Sequence, residues 1–144
     1  MKAGPPGQNR DGIPMTNLTT LEQQVLDMLL RGQDEVLTIL RQQAQRLQVS
    51  SREMTGVGFY TEFLVPPDVP HVPGRPTFKL RDVNGTADNV SHGLGFLLYV
   101  KDGALSMLEG YTYDEPWPDD VRGLVLTYPS KEGRKLDFQT SHRN

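Results

Sequence analysis

Apolar residues fall at helical spacing in the first third of the chain and at strand spacing after it. Leu21, Val25, Met28 and Leu29 share one side of a helical period. Thr19 and Glu22 have the spacing of a capping box, in which the hydroxyl and the carboxylate each take up a free backbone N–H. Together they predict a helix from about Thr20 to Arg31, stopped at Gly32. Val36, Leu37, Leu40, Ala44 and Leu47, with Ile39 beside them, predict a second helix from about Asp34 to Gln48. Its expected wet face is Gln42, Gln43, Gln45, Arg46 and Gln48.

From Val49 the period changes to two. Val57, Phe59, Thr61, Phe63 and Val65 alternate with Gly58, Tyr60, Glu62 and Leu64, a strand buried more on its Val/Phe side. Residues 49–54 read as an earlier strand, with Thr55-Gly56 a bulge or bend. Pro66 and Pro67 end the run, because proline cannot donate to a ladder, and Pro66 to Pro76 reads as an extended surface loop. Phe78 to Val83 is a short strand, and Asn84-Gly85 is a turn signal. Thr86 to His92 is either loop or a short strand pairing back. The clearest hairpin is Gly95–Val100 and Leu105–Tyr111 about Asp102-Gly103. Its first strand is apolar on both sides, as central strands are. Val121 to Tyr128 reads as a further strand, and Leu136 with Phe138 as an edge strand.

Helices grouped before strands imply an α+β fold: two N-terminal helices packed on a mainly antiparallel sheet of five or six strands. The chain of 144 residues is long enough for one core. The expected organisation is a disordered leader over 1–16, rich in Gly, Pro and polar residues, a single domain over 17–138 and a frayed tail over 139–144. No apolar h-region or membrane-spanning run is visible, so a cytoplasmic, soluble protein is expected.

Charge sharpens this picture. Residues 49–128 carry six basic groups against eleven acidic ones, so the sheet region is acidic. That argues against nucleic acid as the main partner. The absence of cysteine excludes disulfides and thiolate chemistry.

Candidate chemistry is sparse. No two of the three histidines have a metal-ligand spacing, and Gly93-Leu94-Gly95 precedes a strand rather than the helix a phosphate loop needs. No cofactor and no metal are expected. Glu62 and Glu109 fall inside strands and, with His92, are the candidates for acid–base work on a sheet face. The alternative for the two carboxylates is a solvated face, or pairing with Arg52, Lys79, Arg81 or Arg122. The most distinctive stretch is Tyr111 to Asp120. There Asp114, Glu115, Asp119 and Asp120 surround Trp117, the only tryptophan, with Tyr111 and Tyr113 before it. One reading is a docking surface of aromatic anchors with an acidic rim, suited to a basic protein partner. The other is that Trp117 folds back over the end of the sheet while the acids keep a loop soluble.

In its motifs Gly56-Val57-Gly58-Phe59-Tyr60-Thr61 and Leu108-Glu109-Gly110-Tyr111-Thr112-Tyr113-Asp114-Glu115-Pro116-Trp117-Pro118 the chain resembles small uncharacterised bacterial proteins. In size, acidity and build it is also similar to the small α+β immunity proteins that neutralise bacterial toxins. The resemblance implies no catalytic residue. The functional expectation is a non-enzymatic bacterial protein-binding domain, immunity-like or regulatory. A small hydrolase or ligand-binding domain with carboxylates on the sheet face is the alternative, and a structural homodimer a third.

Overall fold

Thr19 opens the first element as the spacing predicts. Its hydroxyl accepts from the Glu22 N–H at 3.1 Å, and the Glu22 carboxylate accepts from the Thr19 N–H at 2.9 Å. The computed structural model describes residues 17–129. The leader over 1–16, the tail over 139–144 and the strand expected at Leu136 and Phe138 lie outside them.

Helix α1 covers Thr20–Leu29 and helix α2 covers Glu35–Ala44. Both are shorter than their apolar periodicity predicts. Arg41 explains the first stop: from α2 its guanidinium donates to the carbonyls of Leu30 (2.6 Å) and Gly32 (2.8 Å), taking up acceptors freed at the end of α1. The predicted wet face of α2 is corrected at Gln43, which is fully buried. Its amide nitrogen donates to the carbonyls of Pro70 and Gly103, and its amide oxygen accepts from the Leu105 N–H, each at 2.9 Å. One side chain thus ties α2 to the proline loop and to a hairpin turn.

The strand segments are β1 (Gln48–Met54), β2 (Gly58–Leu64), β3 (Phe78–Leu80), β4 (Asn84–Thr86), β5 (Leu94–Lys101), β6 (Ala104–Thr112) and β7 (Val125–Thr127). They form one sheet in the order β1-β2-β6-β5-β4-β7, with β3 also on β5, and every pairing among them is antiparallel. The fold is the expected α+β arrangement. Two boundaries move. The Asn84-Gly85 turn does not form, because both residues pair with β5. Segments β3 and β4 lie along the same edge of β5. From Leu80 to Asn84 that edge takes four residues where β5 takes three, Leu98 to Gly95, so β3 and β4 act as one edge strand with a bulge. Glycine at 85 serves packing instead: a Cβ there would press on Phe96 and Leu126. The predicted strand over 121–128 shrinks to Val125–Thr127, against β4.

The sheet has two unlike sides. Phe59, Thr61 and Phe63 of β2, Phe78 and Leu80 of β3, Leu94, Phe96, Leu98 and Val100 of β5, and Leu105 and Leu108 of β6 point to the core. Val25, Leu26, Leu29, Leu37 and Leu40 of the helices close over them. Val69 and Val72 of the proline loop are buried too, so that loop is more than a surface crossing. Glu22 is 2% exposed within this layer. Its carboxylate accepts from Arg52 (2.7 and 2.8 Å) and from the Thr61 hydroxyl (2.5 Å). Burial pushes the Glu22 carboxyl up, but Arg52, Thr61 and the Thr19 N–H together outweigh it and hold the group below the usual carboxylate range.

Candidate functional site

The side of the sheet away from the helices is set by register. On β2 it carries Tyr60, Glu62 and Leu64; on β6, Met107, Glu109 and Tyr111; on β5, Leu97, Tyr99 and Lys101; on β3, Lys79. These side chains are exposed or half-buried. Three cross-strand rows result. Gly58, Tyr111 and Gly95 form one; Glu53, Tyr60, Glu109 and Leu97 the next; Ser51, Glu62, Met107, Tyr99 and Lys79 the third. In the first row the Tyr111 ring lies over Gly95, where a Cβ would collide with it. In the third, the Lys79 ammonium sits 5.4 Å from the centre of the Tyr99 ring. Beyond it opens a groove of about 410 Å³, whose lining includes Ser50, Glu62, Leu64, Lys79, Tyr99 and Met107.

Glu62 and Glu109 therefore share the outer side. Glu62 pairs with Met107, so Glu109 is its diagonal neighbour, at the about 7–8 Å typical of such positions. Glu109 accepts from the Tyr99 hydroxyl at 3.3 Å. Burial, then the Glu109 charge, raises the Tyr99 phenol above its ordinary value. His92 is not brought to the carboxylates. It precedes β5 by two residues, past the Gly95 row, and its backbone N–H donates to Glu115 at 2.7 Å. Two of the cations considered as partners are engaged elsewhere: Arg52 on Glu22 and Arg122 on Asp120.

The Tyr111–Asp120 stretch divides by role. Tyr111 and Tyr113 meet edge to face, with ring centres 5.5 Å apart. Tyr113 is 43% exposed, and Asp114 and Asp119 are exposed as well. Asp114 takes a left-handed backbone with φ of 59°, one that aspartate tolerates better than most residues. Glu115 and Trp117 are committed to the fold, whereas Asp120 is exposed like Asp114 and Asp119. Trp117 is half-buried and packs edge-on against Phe59, ring centres 5.3 Å apart, while its backbone N–H donates to Gly56. Glu115 accepts from the N–H groups of Ser91 (3.0 Å) and His92 (2.7 Å), which hold its carboxyl below the usual range. Asp120 accepts from the Arg122 N–H, in a two-residue turn of its own. The Thr112 hydroxyl bonds the Glu115 carbonyl and fixes the start of the loop.

Tyr60 and Tyr99 were not singled out by sequence reasoning, and Lys79 only as a possible partner of the two carboxylates. The signal was present in the alternation Tyr60-x-Glu62-x-Leu64 and Leu97-x-Tyr99-x-Lys101, the half of each strand that faces away from the helices. Among the described residues no group of three or more His, Asp or Glu is placed to hold a metal ion, and no helix is long and apolar enough to cross a membrane. No protein-family model matches the chain, and neither a curated protein nor a solved structure is significantly similar to it.

Proposed function

We propose that the protein is a non-enzymatic binding module that docks a basic protein through the Tyr111–Asp120 loop, in an immunity-like or regulatory role in a bacterial cytoplasm. The observation that carries this reading is Tyr113, 43% exposed and braced edge-on by Tyr111, on a loop whose Asp114 and Asp119 are exposed beside it. An aromatic ring held by a neighbour loses little freedom on binding, and exposed acids around it raise the encounter rate with a cationic partner. Glu115 and Trp117 act from behind: the carboxylate pins the loop to 91–92, and the indole anchors it on Phe59. Catalysis by Glu62, Glu109 and His92 has less support, since only the two carboxylates share a side and neither touches the histidine.

The test is affinity capture with tagged protein at low salt. The partner is then identified and its binding titrated against wild type and a Tyr113→Ala/Asp114→Asn/Asp119→Asn variant. The three side chains are exposed, so the variant stays folded, its unfolding midpoint lowered only by loss of the Tyr111–Tyr113 ring contact. The expected result is a basic partner whose affinity falls by about tenfold or more in the variant and declines with salt. A partner bound equally well by the variant would remove the loop from the interaction.

A further inference from the structure

The outer side of the sheet is divided by charge along the strand order. On β1, β2 and β6 it carries Glu53, Glu62 and Glu109; on β3 and β5 it carries Lys79 and Lys101, and Arg81 continues the alternation of β3 at an exposed position. The boundary runs between β6 and β5. Along it lies an apolar and aromatic strip of Met107, Leu97, Tyr99 and Tyr111, half-buried, with Leu64 62% exposed at one end. Such a side does not complement a uniformly acidic or basic partner. It complements itself.

We propose that this side is a homodimer interface in which two copies pack sheet to sheet about a two-fold axis parallel to the strands, above the β6/β5 boundary. That operation exchanges left and right across the sheet and leaves position along the strands unchanged, so each row faces the same row of the other copy. In the row Glu62, Met107, Tyr99, Lys79, successive members sit on adjacent strands. Its two ends therefore oppose each other across the interface: Glu62 faces Lys79 of the second copy, and Met107 faces the second Tyr99. The contact occurs twice by symmetry. In the next row Tyr60 faces Arg81, and Glu109 faces Leu97. Sheets packed face to face stand about 10 Å apart, the space that methionine, leucine and tyrosine side chains interdigitate to fill. The groove of about 410 Å³ beside Glu62, Lys79 and Met107 is filled in the same step.

Size sets the expected strength. The four strands that overlap, β2, β6, β5 and β3, at about 4.8 Å spacing, and six or seven residues at about 3.3 Å rise, give a projected footprint of roughly 400 Å². A standard stable interface buries about 800 Å² per partner. A weak dimer, dependent on concentration and weakened by salt, is accordingly expected. The interface reaches Tyr111 but not the Tyr113, Asp114 and Asp119 tip, and charge reversal at Glu62 and Lys79 leaves the loop unchanged, so failure of the dimer is distinguishable from failure of the proposed loop partner.

The test is sedimentation equilibrium of the full chain from low micromolar to near millimolar concentration, with four proteins: wild type, Glu62→Lys, Lys79→Glu and the double exchange Glu62→Lys/Lys79→Glu. Wild type is expected to dimerise. Each single reversal sets like charges opposite each other at both symmetric contacts and weakens the dimer by about tenfold or more. The double exchange restores opposite charges and returns association toward wild type. Both positions are exposed, so unfolding midpoints stay close to wild type and loss of fold is distinguishable from loss of contact. A monomer over the whole range overturns the proposal, whether residues 1–16 or 130–144 of the same chain or a different protein then covers this side. A dimer that neither single reversal weakens, or that the double exchange fails to rescue, overturns it as well.

Discussion

The two sides of one sheet treat polar groups in opposite ways. Toward the helices, the buried polar side chains of the described residues are spent internally. Glu22 has Arg52, Thr61 and the Thr19 N–H; Gln43 has three backbone partners; and among the described residues no buried side-chain nitrogen or oxygen lacks a hydrogen bond. Burying such groups unpaired would cost free energy, so the helical side tolerates them only in closed sets. On the outer side Glu53, Glu62, Lys79 and Lys101 are exposed, and the half-buried Glu109 accepts a 3.3 Å bond from Tyr99. A polar residue on the first side therefore holds the fold together, whereas one on the second side leaves the fold alone and is available to a partner.

The comparison breaks most visibly with leucine. Leu108→Ala removes a fully buried side chain and is expected to cost about 3–5 kcal/mol of stability, whereas Leu64→Ala, at a position 62% exposed, stays within about 0.5 kcal/mol. Urea unfolding of both variants checks this, and equal losses would mean that the outer side is covered.

Glu22→Gln comes next, at about 2 kcal/mol. It removes the carboxylate from Arg52, whose side chain is one-third exposed and so partly rescued by water. The pH dependence follows from the sign of the shift. The carboxyl of Glu22 is held below 4.5 in the folded chain, so it contributes stability above that pH, lost as pH falls through the lower folded value. The variant should show a flatter acid limb in unfolding curves taken as pH falls from neutral through 4.5 and below, where wild type loses this contribution. The smallest effect is that of Glu109→Gln. It leaves stability within about 0.5 kcal/mol and brings the Tyr99 phenol part of the way back to its ordinary titration, burial keeping the remainder. Ultraviolet titration at alkaline pH reads it directly.

Much of the helical side was legible because its signals are local. The capping box needs three residues of separation, and the β5–β6 hairpin needs only alternation and a Gly at its turn. The parts that were not legible depend on distance along the chain. Glu22 looks like a cap and no more, since Arg52 and Thr61 lie 30 and 39 residues on. Gln43 looks wet because its partners at Gly103 and Leu105 are 60 and 62 residues away. Asn84-Gly85 carries a turn signal, yet the neighbouring β5 and the crowding of Phe96 and Leu126 against Gly85 decide for a strand. In the Tyr111–Asp120 loop the composition was plain. Which acids are committed to backbone N–H groups and which are free was not, because Ser91 and His92 reach Glu115 only through the fold.

Trp117 is the chain's one indole, and it rests on Phe59 at the end of the buried layer rather than on the outer side. Its fluorescence is therefore an optical gauge of a single event. When the loop lifts from Phe59 the ring meets water and its emission moves to the red. Anything that settles on Tyr60 or Tyr99 leaves that emission where it was.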